Sequence, residues 1–104
     1  MITQLYEIPA AGIESISIVS SEDILFSISF DRGQSWLWYE PHGKDWFSTD
    51  NTTLGMAKDI VMNIPADEWY NVSGTATQYQ IKFILPTVDS YVTSIVVDYI
   101  NDTL

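Results

Sequence analysis

Apolar and polar side chains alternate with period two over much of this sequence. A chain patterned in that way must turn one side of each segment to a core and the other to solvent. Ile13-Glu14-Ser15-Ile16-Ser17-Ile18-Val19-Ser20 carries the pattern, and Ile24-Leu25-Phe26-Ser27-Ile28-Ser29-Phe30 repeats it after a turn at Ser21-Glu22-Asp23. Asp31-Arg32-Gly33-Gln34 predicts a tight turn in which Gly33 supplies a positive φ. Ser35-Trp36-Leu37-Trp38-Tyr39-Glu40 then returns as the partner strand, and a turn at residues 41–44 leads to a short strand over residues 45–48. Residues 79–85, ended by Pro86, and the β-branched residues 91–100 read as two long final strands. Alternation, in place of uniform apolarity, argues against a parallel sheet covered on both faces.

Between these strands the period changes. Leu54, Ala57, Ile60, Val61 and Ile64 recur at three- and four-residue spacing, which predicts an amphipathic helix of about ten residues capped at Thr52-Thr53. Pro65 ends it and opens a second helical turn through Tyr70, with proline in its preferred first position. Asn71-Val72-Ser73-Gly74 reads as a loop. No repeat, linker or low-complexity tract divides the chain, so residues 1–104 form one domain. The expected fold is mainly β (α+β): an antiparallel sandwich-like domain with one or two short helices inserted before the last two strands.

Charge and composition exclude several functions. Four Lys and Arg stand against 14 Asp and Glu, a net charge of −10, which leaves no basic surface for nucleic acid or for an anionic membrane. There is no cysteine, hence no disulfide, thiolate metal site or cysteine nucleophile. The first residues lack the basic start and apolar stretch of a signal peptide, which leaves a chain that is intracellular when made or a segment of a longer protein. Three N-x-Ser/Thr triplets, at Asn51, Asn71 and Asn101, are expected by chance in a chain rich in Ser and Thr.

Ser29-Phe30-Asp31-Arg32-Gly33-Gln34-Ser35-Trp36 resembles the Asp-box pattern, Ser-x-Asp-x-Gly-x-x-Trp. Turn geometry accounts for each residue type: Ser29 and Asp31 bond the turn, Gly33 takes the left-handed position, and Trp36 packs beneath. The resemblance implies a structural hairpin, not the sialidase propellers in which such boxes recur. Trp36, Trp38, Tyr39, Trp46 and Phe47 crowd into twelve positions. Trp36 and Trp38 must share one face of their strand, and Leu37 and Tyr39 the other. Trp38, Tyr39 and Trp46, beside Asp45, Glu40 and His42, form a candidate sugar-stacking surface, with burial in the core as the competing reading.

No catalytic residues are expected. His42 is the sole histidine and lies in a Pro-His-Gly turn, and the carboxylate pairs have no elbow, phosphate loop or zinc partners around them. Asp45, Asp50 and Asn51 lack the spacing of a calcium loop, so neither a metal nor a cofactor is expected.

Taken together, the hairpin over residues 24–36, Gly55-Met56 opening a helix, an acidic turn ending in Trp69, Ile81-Lys82-Phe83-Ile84-Leu85 and residues 92–99 resemble a small domain of bacteriophage and prophage tail-associated and minor structural proteins. The resemblance spans residues 14 to 100 and implies a β-sandwich-like module of a virion appendage, used for assembly or host-surface attachment. It implies a place in the virion, or in the bacterial cytoplasm before assembly. The partners it implies are other virion proteins or a host-surface glycan, with a homo-oligomer allowed and an edge within residues 91–100 as the contact. It brings no catalytic residue. A carbohydrate-binding module built on Trp38, Tyr39 and Trp46 is the alternative.

Overall fold

The computed structural model describes residues 2, 3, 5–8, 12–49 and 55–100. Strand β3 (Leu25–Ser29) is its spine. One edge of β3 pairs antiparallel with β7 (Gln78–Ile84), from Leu25↔Ile84 to Ser29↔Gln80. Its other edge is shared: β4 (Trp36–Glu40) pairs at Ile28↔Leu37, and the two-residue β6 (Met56–Ala57) pairs at Leu25 and Phe26. β4 runs on into antiparallel pairing with β5 (Asp45–Thr49), while β1 (Tyr6–Glu7) adds to the far edge of β7. A second, two-stranded antiparallel sheet joins β2 (Ile13–Ser20) to β8 (Val92–Tyr99).

Both sheets turn their apolar rows to one core. Phe26 and Ile28 of β3 stand beside Phe83 and Ile81 of β7, and Ile13, Ile16 and Ile18 of β2 join the same cluster. The Phe26 and Phe83 rings meet edge-on at 5.7 Å between centroids, a geometry favoured by their quadrupoles. The two sheets are tied directly by the hydroxyls of Tyr79 on β7 and Tyr99 on β8, 2.7 Å apart. Burial and this hydrogen bond hold the Tyr79 hydroxyl well above its ordinary pKa of 10.0.

Two short helices, α1 (Lys58–Met62) and α2 (Ala66–Ser73), precede the last two strands. With 47% strand and 15% helix, the fold is the mainly β, antiparallel arrangement that the alternation predicts. No helix among the described residues is long and apolar enough to cross a membrane.

The helical region departs from expectation at Met56-Ala57, at Pro65 and at Asn71-Val72-Ser73. Met56 and Ala57 are strand, because their backbone completes the β3 edge that β4 has left, so α1 keeps only five residues. Thr52-Thr53 and Leu54, expected at the helix start, lie outside the described residues. Pro65 is the N-cap of α2, not its first residue, and its carbonyl accepts the N–H groups of Glu68 and Trp69. Asn71, Val72 and Ser73 are helical, not loop, for a tertiary reason. The Ser73 hydroxyl donates to the Trp69 carbonyl at 2.6 Å and accepts the Ile13 N–H at 2.8 Å, so this last turn locks α2 to the start of β2. Gly12 makes the approach feasible: its φ is +138°, and a Cβ there would lie 2.9 Å from Ser73 Oγ.

Replacing Ser73 with Ala leaves the buried Ile13 N–H without a partner and is expected to cost about 1–3 kcal/mol. Urea unfolding checks this as a lower midpoint at unchanged slope; an unchanged midpoint overturns the assignment.

Candidate functional site

The β4–β5 hairpin sorts its residues by parity onto two faces. Cross-strand pairs Trp38↔Phe47 and Glu40↔Asp45 share the face of Trp36, and Tyr39↔Trp46 takes the other with Leu37. Of the sugar-stacking candidates, Tyr39 and Trp46 therefore face the core: Tyr39 is only 4% exposed, and Trp46 packs against Tyr39 at 5.2 Å and against the fully buried Trp69 of α2 at 5.2 Å. Trp38 lies on the opposite face. It stacks on Phe47 at 5.1 Å with 28° between the rings, and Phe47 is 46% exposed. Asp45 is exposed on this same outer face. The structure thus brings Trp38 and Asp45 together and separates both from Tyr39 and Trp46.

The Asp-box turn fixes one end of this hairpin. Arg32 at φ 62° and Gly33 at φ 85° provide the consecutive positive-φ positions of a type I′ turn. Ser29 Oγ accepts the Gly33 N–H at 2.8 Å and donates to Asp31 Oδ1 at 2.7 Å, while Asp31 accepts the Ser35 N–H at 2.9 Å and its hydroxyl. Gly33 sits on the Trp36 ring, where a Cβ would meet Cζ2 at 3.6 Å. Partial burial pushes the Asp31 carboxyl up, but the bonds from Ser35, Ser29 and Gln34 outweigh it and leave the group below its ordinary 3.8. At the opposite turn, N–H groups of Gly43 and His42 hold the Glu40 carboxyl below its ordinary 4.5. Structural hydrogen bonds therefore engage both carboxylates.

Lys82 was not among the sequence candidates. It pairs with Ser27 across β7 and β3 on the Trp36 face, is 5% exposed, and carries its ammonium 4.7 Å over the Trp36 ring. Burial pushes its pKa down, and among the described residues neither Lys82 Nζ nor Ser27 Oγ has a hydrogen-bond partner. The alternation Gln80, Lys82, Ile84 against Tyr79, Ile81, Phe83 is the signal that assigns Lys82 to the non-core face. Phe47 was also missed as a platform; its register with Trp38 follows once the turn at residues 41–44 is placed.

Beyond the hairpin, a cleft of about 260 Å³ opens between the 41–44 turn and the start of α2, lined by Tyr39, Pro41, Lys44, Pro65, Asp67 and Glu68 among others. Burial, then the charges of Glu68, Asp67, Asp45 and Glu40, raise the Tyr39 hydroxyl above its ordinary 10.0. Among the described residues no group of three or more His, Asp or Glu side chains is placed to hold a metal, and Asp50 and Asn51 lie outside them.

The β8 strand bears a different kind of surface. Ser15↔Asp98, Ser17↔Val96 and Val19↔Ser94 form the outer face of the two-stranded sheet, with Val19 58% and Val96 54% exposed. Among the described residues no strand pairs with the second edge of β8. No protein-family model, curated protein or solved structure matches the chain.

Two outcomes follow from the electrostatics. Because the Asp31 carboxyl is depressed in the fold, its contribution is present above pH ~4 and is lost as pH falls through the folded value. Asp31→Asn should therefore flatten the fall in thermal midpoint between pH ~5 and ~2, and an unchanged pH profile overturns this. Lys82→Met removes a buried cation that has no hydrogen bond among the described residues, and loses a desolvated cation–π contact of about 2 kcal/mol against the cost of burying the charge. The variant should unfold at the same or higher urea concentration; a large loss of stability contradicts that balance.

Proposed function

We propose that this chain is a non-catalytic structural module of a bacteriophage or prophage particle, working in assembly or host-surface attachment. The observation that carries the reading is the β8 edge, eight residues long, β-branched at five of them and free of a second strand among the described residues. Such an edge is a template for another chain. The ordered resemblance of residues 14–100 to tail-associated domains supports the virion setting. The Asp31, Glu40 and Asp23 carboxylates are engaged by turn N–H and hydroxyl groups, which suits a scaffold.

Antibody raised to the chain should label an appendage of particles released by the encoding host and should co-sediment with intact particles. A signal confined to the soluble fraction removes the virion reading.

The outer face of β4–β5 favours a second reading, carbohydrate binding. Trp38 and Phe47 form a stacked, partly exposed aromatic pair, and the Asp45 carboxylate, exposed on the same face, can accept a sugar hydroxyl. Glycan-array binding should then be lost in Phe47→Ala and Trp38→Ala while the fold is kept. Binding that survives Phe47→Ala excludes this face.

A further inference from the structure

The two edges of the smaller sheet are treated differently. At β2 the Ile13 N–H is taken by Ser73 Oγ of α2, and the Ser20 carbonyl accepts Lys58 Nζ of α1 at 3.0 Å, so the helices close that edge at both ends. β8 has no such closure among the described residues. It also lacks the devices that protect a free edge: residues 92–99 contain no proline and no lysine, and Asp98 is the single charge.

Charge decides what can pair there. Carboxylates flank β8 at both ends. Asp89 is exposed just before the strand, and Asp23 lies there too, its Oδ2 2.7 Å from Ser90 Oγ. Asp98 stands at the other end, bonded to Ser15 Oγ at 3.2 Å, with Glu14 exposed nearby on β2. None of the four basic residues offsets them. Lys58 is paired with Glu22 at 3.2 Å, Lys82 is buried in the larger sheet, and Arg32 and Lys44 sit in its turns. A second copy added in parallel would stack Asp98 beside Asp98. Added antiparallel, it would bring the Asp98 end toward the Asp23 and Asp89 end. Paired strands lie about 4.8 Å apart, well inside the screening length of about 8 Å at physiological salt, so both arrangements are repulsive.

We infer that the β8 edge receives, by strand addition, an extended segment of a different protein in which lysine or arginine flanks a short β-branched run. The inference rests on the assembly reading and assigns its partner a chemistry. Main-chain hydrogen bonds to β8 supply the affinity, and the flanking cations meet Asp98 at one end and Asp23 and Asp89 at the other.

The test is an NMR titration of the whole ¹⁵N-labelled chain with two short capped peptides of alternating Thr and Val, one ended by Lys and one by Glu. The Lys-ended peptide should shift and protect β8 amides, and its affinity should fall several-fold as salt rises from ~50 to ~300 mM. The Glu-ended peptide should not bind. Asp98→Lys, at an exposed position and with folding checked by the amide spectrum outside β8, should weaken the Lys-ended peptide several-fold. Equal affinity for both peptides, shifts that map away from β8, or no shift at ~1 mM peptide overturns the inference. So does concentration-dependent protection of β8 without peptide, which would assign the edge to a second copy. Particle labelling is independent of these outcomes: a chain that binds the Lys-ended peptide yet is missing from particles retains its edge and loses the virion setting.

Discussion

β3 is hydrogen-bonded along both edges and covered on both faces, and the rest of the larger sheet takes its register from it. Its pairing with β7 creates two rows. Phe26 beside Phe83 and Ile28 beside Ile81 face the core, while Ser27 beside Lys82 and Ser29 beside Gln80 face away. A slip of one residue would exchange these rows and place a lysine among the phenylalanines. Ser27 and Ser29 are almost fully buried, on the face that also carries Trp36 and Lys82.

The same strand explains why the hairpin that follows is both rigid and displayed. Ser29 ends β3 and opens the Asp-box turn, so the turn's hydrogen bonds begin on a buried anchor. β4 stays beside β3 only near Leu37 and then gives way to β6, so the outer part of the β4–β5 hairpin leaves the sheet and rests on α2 through Trp46 and Trp69. Two carboxylate-bonded turns, at Asp31 and Glu40, lie at the two ends of β4. Between them the aromatic residues divide by parity: Tyr39 and Trp46 fasten the hairpin to the core, and Trp38 and Phe47 face outward.

Period-two alternation made the strands and their antiparallel order legible, since each segment has one face that only a core can satisfy. The Asp-box was legible for a similar reason: its residue types answer to turn geometry within eight positions. The helices were legible only in part. Ala57 fits the helical spacing that leads to Ile60, Val61 and Ile64, yet the unpaired edge of β3 claims Met56 and Ala57 for strand. The polar run Asn71-Val72-Ser73-Gly74 has the composition of a loop, and only the contact of Ser73 with Ile13, sixty residues away, shows why it is helical. At the candidate site, parity predicted that Trp36 and Trp38 would share a face. It did not predict that Tyr39 and Trp46 would be covered, because that depends on where α2 packs. Lys82 has no local signal for burial at all; its cover comes from Trp36 on a different strand.

The distribution of charge bears on which strands the β8 edge can accept. With 14 acids against four bases, copies of this chain repel one another at long range, and that repulsion opposes the pairing of the β8 edge, with Asp98 as its one charge, with itself. Protection by net charge differs from protection by a lysine or proline on the strand, because it does not alter the β8 edge itself, which has no second strand among the described residues. It also discriminates by sign: an acidic strand is excluded along with the second copy, while a cationic one is drawn to the edge before any hydrogen bond forms. The helices reinforce the asymmetry by closing β2 with Ser73 and Lys58, so the two-stranded sheet can grow in one direction only. An edge left competent on one side, closed on the other and guarded by charge is suited to a single, chemically defined partner.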